Sequence, residues 1–147
     1  MSAGNVLMVC LGNICRSPLA HGIFEQLSSD FDIRVDSAGT ANYHSGNSPD
    51  RRSQATALQH GIDISQQRAR QFTVHDFDAF DYIYVMDRSN LADVLSLART
   101  EAERAKVALI LGEEEVEDPY YGGAEGFEIV YQKIDTACRE IIAAWKK

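Results

Sequence analysis

Three short apolar runs, Val6 to Val9, Tyr82 to Met86 and Val107 to Leu111, and one alternating stretch, Ile33 to Ala38, read as strands, each followed by a segment with helical spacing or a helix-start signal. Val6 to Val9 is continuously apolar, the pattern of a strand covered on both faces. Ser17-Pro18 then reads as an N-cap followed by proline at the first helical position, with Leu19, Ile23, Phe24 and Leu27 on one helix face. Ser48-Pro49 repeats the signal ahead of a helix expected to reach His60, with Gly61 as its stop. A further helix is expected from near Ser89 through Leu91, Val94, Leu95 and Leu97. Phe127, Val130, Ile134, Cys138, Ile141 and Trp145 recur at spacings of three and four, the apolar face of a long last helix on which Cys138 is a core residue. Alternating βα units predict an α/β fold, a doubly wound four-stranded parallel sheet with helices on both faces, in one domain spanning residues 1–147. Such sheets take ligands beyond the carboxyl ends of their strands, where Cys10 to Ser17 falls.

The composition narrows the function classes. No segment approaches the roughly 18 apolar residues that span a bilayer, and the N-terminus lacks a basic-then-apolar signal, so a cytoplasmic location is expected. Three cysteines in 147 residues do not make a disulfide framework, and an odd count directs attention to reactivity. A net charge of -8 argues against broad nucleic-acid or anionic-membrane binding. All 22 acidic residues lie at Glu25 or beyond, so the opening segment carries Arg16 and no carboxylate. An anion site is one reading of that asymmetry; chance in a short stretch is the other.

The chemistry concentrates in "VCLGNICRSP", Val9 to Pro18. A loop between a strand end and a helix start presents successive N–H groups to one point, reinforced by the helix dipole. Gly12 allows a tight turn and Asn13 tolerates a left-handed backbone or bonds neighbouring groups. Arg16 offers a planar fork matched to two phosphate oxygens. Cys10, facing those donors, would have its thiolate stabilised and become a nucleophile, with Ser17 donating to the sulfur. The blander reading of Cys10 is a small buried residue at a strand end. Metal binding fits poorly: C-x4-C is at the limit of zinc-ligand spacing and the four histidines do not cluster, so no metal or cofactor is expected. An acid for a leaving oxygen is sought on another loop, and Asp118 in "EVEDPYYGG" follows the fourth strand on the same sheet edge. Glu113, Glu114, Glu115 and Glu117 precede it and would favour its protonated form, while the bland reading is a solvated acidic turn.

With "SAGT" at 37–40, "HGIDIS", "RARQF", "YVMDRSNL" and "DPYYG" added, nearly the whole chain resembles the low-molecular-weight protein tyrosine phosphatases of bacterial type. The resemblance implies a four-stranded parallel sheet, Cys10 as nucleophile, Arg16 as phosphate ligand, Asn13 and Ser17 as loop and thiolate supports, and Asp118 as general acid then base. It implies a substrate site drawn from Leu11, Gly12, Asn13, Ile14, Cys15, Ser17, Tyr43, Tyr120 and Tyr121, with Tyr43 and Tyr120 as aromatic walls. Cys15 would be an accessory thiol that traps oxidised Cys10 as a disulfide. His21 stands where many members carry Glu, Gln67 where a His often stands, and Tyr43 where bacterial members often carry Trp. Relatives that act on phosphoarginine tend to have Thr where this chain has Ile14, so the apolar residue favours phosphotyrosine.

The implied partners are a tyrosine-phosphorylated protein, a tyrosine kinase as its counterpart, and phosphate as product and inhibitor, with neither nucleic acid nor membrane, and a monomer or weak dimer. Three rivals stay in view. Arsenate reductase on the same scaffold needs a relay of further cysteines, and only Cys138 lies in the second half. A phosphocarrier has little use for Asp118, and a non-catalytic phosphotyrosine-binding module has little use for an intact Cys-Arg-Ser-Asp set.

Overall fold

Val6–Cys10 forms β1 near the middle of the sheet in the computed structural model, which describes residues 2–120 and 122–147. The other strands are β2 (Val35–Gly39), β3 (Tyr82–Val85) and β4 (Val107–Leu109), in the order β2-β1-β3-β4, and every pairing is parallel. Val6 stands opposite Val35 on one side and Tyr82 on the other, so β1 is paired along both edges. All five of its residues are buried.

The period of two along β1 sorts its side chains into two layers. Val6, Met8 and Cys10 join a core with Leu19 and Phe24 of α1 (Arg16–Leu27), Ala57 of α2 (Arg51–Gln59) and Ile134 and Cys138 of α6 (Ala124–Trp145). Leu7 and Val9 face the opposite core, with Phe77 of α3 (Asp76–Ala79) and Val94 of α4 (Arg88–Leu97). Helices therefore cover both faces, as expected. Trp145 closes the first core, its ring edge-on to Phe24 at 5.3 Å and to Phe31 at 5.4 Å. The order reverses direction between β1 and β3, which opens the crevice at the carboxyl end of β1.

Several boundaries differ from the sequence reading. The N-cap of α1 is Cys15 without a side-chain hydrogen bond, because the Ser17 hydroxyl is engaged inside the loop. Pro18 still lies in the first turn, where its missing N–H is tolerated. Asp50 rather than Ser48 caps α2, its carboxylate accepting from the Arg52 N–H. Gly61 does terminate that helix, at φ +80°, a region disfavoured for residues with a Cβ. β2 begins at Val35 rather than Ile33, and β4 ends at Leu109 before a turn with Gly112 at φ +83°. On α6, Ile142 is buried and Ile141 only half-buried. The four-residue helices α3 and α5 (Glu101–Arg104) were not expected; both are too short to carry an apolar period.

Candidate active site

The turn after β1 is shaped by two backbone requirements. Asn13 has φ +57°, a left-handed conformation that Asn accepts more readily than most residues. Gly39, at the end of β2, lies so close that a Cβ there would sit 2.8 Å from the Leu11 carbonyl oxygen, so the neighbouring strand end must be glycine. Thr40 and Ala41 donate to the carbonyls of Cys10 and Leu11, each at 2.9 Å, and join the loop to β2.

Behind the loop runs a buried polar relay whose proton directions follow from its donors. The Arg70 N–H donates to Asn13 Oδ1 at 3.0 Å, which orients the amide so that Nδ2 donates to Ser17 Oγ at 2.7 Å and to Ser37 Oγ at 3.0 Å. Ser17 Oγ thus accepts from Asn13, and its own proton is free for Cys10 Sγ, 3.0 Å away. The His21 ring extends the relay, with Nδ1 3.3 Å from Ser37 Oγ and Nε2 3.5 Å from Glu25. Gln67 instead donates to the Pro18 carbonyl at 3.2 Å.

Arg16 is 2 % exposed, yet charged partners hold it in place. Its NH1 donates to Asp87 Oδ2 at 2.7 Å and to the Val116 carbonyl at 2.9 Å. Burial works against its charge, but the neighbouring Cys10, Asp87 and Asp118 outweigh that and hold its proton more tightly than usual. NH1 is thereby committed to two acceptors within the protein. Asp87 also caps α4, accepting from Asn90 N at 2.8 Å, so a single carboxylate serves a helix start and the arginine.

These elements meet at a cleft of about 370 Å³. Cys10, Gly12, Cys15 and Arg16 form its floor, and Leu11, Ile14, Tyr43, His44, Asp118 and Tyr120 rise around it. Tyr43 is 74 % exposed and Tyr120 37 %. Tyr120 N donates to Asp118 Oδ1 at 3.0 Å, and Asp118 Oδ2 lies 3.8 Å from Arg16 NH2. Arg16 thus places a positive charge beside Asp118, and Glu115, expected to crowd it, accepts from the Arg88 N–H at 2.8 Å. Asn13 and Ser17, read from sequence as part of the substrate site, are buried behind the loop rather than on the cleft wall. Tyr121 lies outside the described residues. Cys15, beneath the cleft, has its thiol pushed up to about 12 by burial, with the charges of Asp50, Cys10 and Asp118 adding to it.

The sequence reading missed Asp87 and His44. Asp87 follows β3 at the same sheet edge as Cys10 and Asp118, and the Asp-x-x-Asn spacing of a helix cap was its signal. His44 directly follows Tyr43, and its ring centroid lies 6.5 Å from that of Tyr120. Among the described residues, no group of three or more His, Cys, Asp or Glu is placed to hold a metal ion, and no helix is long and apolar enough to cross a membrane.

Residues 5–147 match the family described as low molecular weight phosphotyrosine protein phosphatase. The protein of that name from Homo sapiens is 45 % identical, with 94 % of this chain and 93 % of that one covered. Among solved structures, a protein tyrosine phosphatase from Entamoeba histolytica with Hepes in its active site superposes with a TM-score of 0.91 at 32 % identity, covering 98 % of this chain and 97 % of the other. A Drosophila arginine phosphatase superposes with a TM-score of 0.90 at 35 % identity, covering 97 % and 98 %.

Proposed function

Because the chain belongs to the low-molecular-weight phosphotyrosine protein phosphatases, we propose that it hydrolyses phosphotyrosine in proteins through a cysteinyl-phosphate intermediate, acting in the cytoplasm as one domain over residues 1–147. The observation that carries this reading is the buried Asn13–Ser17–Cys10 relay, which delivers a proton donor to a sulfur at the floor of the cleft that Arg16 and Asp118 share.

In the first step Cys10 Sγ attacks phosphorus as the bond to the tyrosyl oxygen breaks, and Asp118 gives that oxygen its proton. Arg16 and the loop N–H groups hold the equatorial oxygens as charge redistributes, a stabilisation that works because the donors are already in place. The uncapped start of α1 supplies N–H groups for the same purpose. In the second step a water gives a proton to Asp118 and attacks phosphorus, and the sulfur leaves as the thiolate that Ser17 supports. Leu11, Ile14, Tyr43 and Tyr120 provide apolar and aromatic contacts along the shaft of the side chain. Cys15 provides a route to recovery after oxidation: peroxide converts the Cys10 thiolate to a sulfenic acid, and the Cys15 thiol displaces water from it to form a disulfide.

The test is phosphate release, in EDTA and fresh reductant, from matched phosphotyrosine, phosphoserine and phosphoarginine substrates by wild type and Cys10→Ser. Turnover of phosphotyrosine that Cys10→Ser abolishes is expected. Turnover mainly of phosphoarginine would keep the mechanism and replace the substrate, and no turnover by reduced wild type would overturn the reading.

A further inference from the structure

Arg52, in the first turn of α2, makes a set of contacts that a solvated arginine would not. Its Nε and NH2 donate to the two carboxylate oxygens of Asp50, each at 3.0 Å, so one edge of the fork is fully matched. NH1 remains, and it donates to the Gly122 carbonyl at 3.2 Å. The guanidinium carbon lies 4.6 Å from the ring centre of Phe127, in the first turns of α6, and 5.5 Å from that of Tyr120. Asp50, the other half of the pair, donates its backbone N–H to the Ile14 carbonyl at 2.8 Å, inside the loop that starts at Cys10.

We infer that Arg52 is a positioning residue that straps the segment bearing Asp118 to the phosphate loop. The connection is continuous: Ile14 to Asp50, Asp50 to Arg52, Arg52 to Tyr120 and Gly122, and Tyr120 back to Asp118 through the 3.0 Å bond from its N–H. Val116 anchors the near end of the segment, fully buried and donating to the Met86 carbonyl at 2.7 Å, whereas Glu117 and Asp118 are exposed. Proton transfer falls off steeply with misplacement of the acid, so an exposed carboxyl needs its backbone fixed from outside. Lysine would substitute only in part, since it keeps the charge but lacks the planar fork and the stacking face.

The inference rests on Asp118 being the general acid, and its test separates the two. The quantity read is kcat/KM for p-nitrophenyl phosphate, whose leaving group departs without help, against phenyl phosphate, whose leaving group needs a proton. Asp118→Asn should raise the ratio of the two strongly. Arg52→Ala should raise it by about ten-fold, a part of the 10²–10⁴ that general acid catalysis contributes. Arg52→Lys should lie between Arg52→Ala and wild type, and carries the comparison if the alanine variant does not fold. Adding Arg52→Ala to Asp118→Asn should raise the ratio no further. A ratio unmoved by Arg52→Ala and Arg52→Lys, while Asp118→Asn moves it, overturns the strap alone. A ratio unmoved by Asp118→Asn overturns the acid assignment and the strap with it.

Discussion

Replacing Asp87 tests how the fold holds a buried arginine ready. The Arg16 side chain is 3 % exposed and that of Asp87 22 %, and the two meet at 2.7 Å. Removing one partner of a buried pair costs about 3–5 kcal/mol, because the other charge stays behind without compensation. Here the low end applies, about 3 kcal/mol, since Asp87 is partly solvated and the Val116 carbonyl still accepts from Arg16 at 2.9 Å. Asp87→Asn cannot satisfy both of its sites. If its oxygen takes the Asn90 N–H, its amide nitrogen confronts the guanidinium; if it turns, the helix cap loses its acceptor. Asp87→Ala loses both, and the cap adds about 1 kcal/mol. Urea unfolding reads these differences through the fluorescence of the single tryptophan, Trp145, which is buried between α1 and the sheet. Added phosphate should stabilise wild type more than Asp87→Asn, because ligand stabilisation grows with affinity and the fork is no longer aimed. An Asn variant within about 1 kcal/mol of wild type, with the same response to phosphate, would refute the reasoning.

Two further outcomes follow from the electrostatics of the loop's surroundings. Hydrogen bonds from Arg52 hold the Asp50 carboxyl below its usual range against the opposing effect of burial, so its contribution is present above the unfolded value near 3.9 and is lost as pH falls through the folded one. Asp50→Asn should therefore lower stability near neutrality by no more than about 1 kcal/mol, Arg52 being over a third exposed, and the gap to wild type should close below about pH 4; a gap constant with pH would contradict this. Peroxide-inactivated wild type should recover with dithiothreitol and Cys15→Ser should recover poorly, so equal recovery would remove Cys15 from the redox reading.

Much of the architecture was legible because β1 alternates between two apolar layers and the last helix repeats its face for 22 residues. The short elements α3 and α5 were not, since four residues span barely one turn and carry no period. Helix starts were misplaced where a capping residue type had another use: Ser17 serves Cys10 and Asn13, and Asp50 caps α2 in place of Ser48. Cys10, Arg16 and Ser17 were readable as a group because they share one loop. Asp118 came from the rule that strand ends converge at one edge, and the same rule applied to β3 would have reached Asp87, 71 residues from Arg16. The placement of Asn13 behind the loop was not readable, because its partners Ser37 and Arg70 come from distant segments.

The most direct test of thiol catalysis is to trap the intermediate. Asp118→Ala should attack p-nitrophenyl phosphate, which needs no acid, and then stall for want of a base, so rapid acid quench and peptide mass spectrometry should find one phosphoryl group on the peptide carrying Cys10. Rapid release of p-nitrophenol with no phosphoryl group on Cys10, or a phosphoryl group that persists in Cys10→Ser/Asp118→Ala on another residue, would contradict the account.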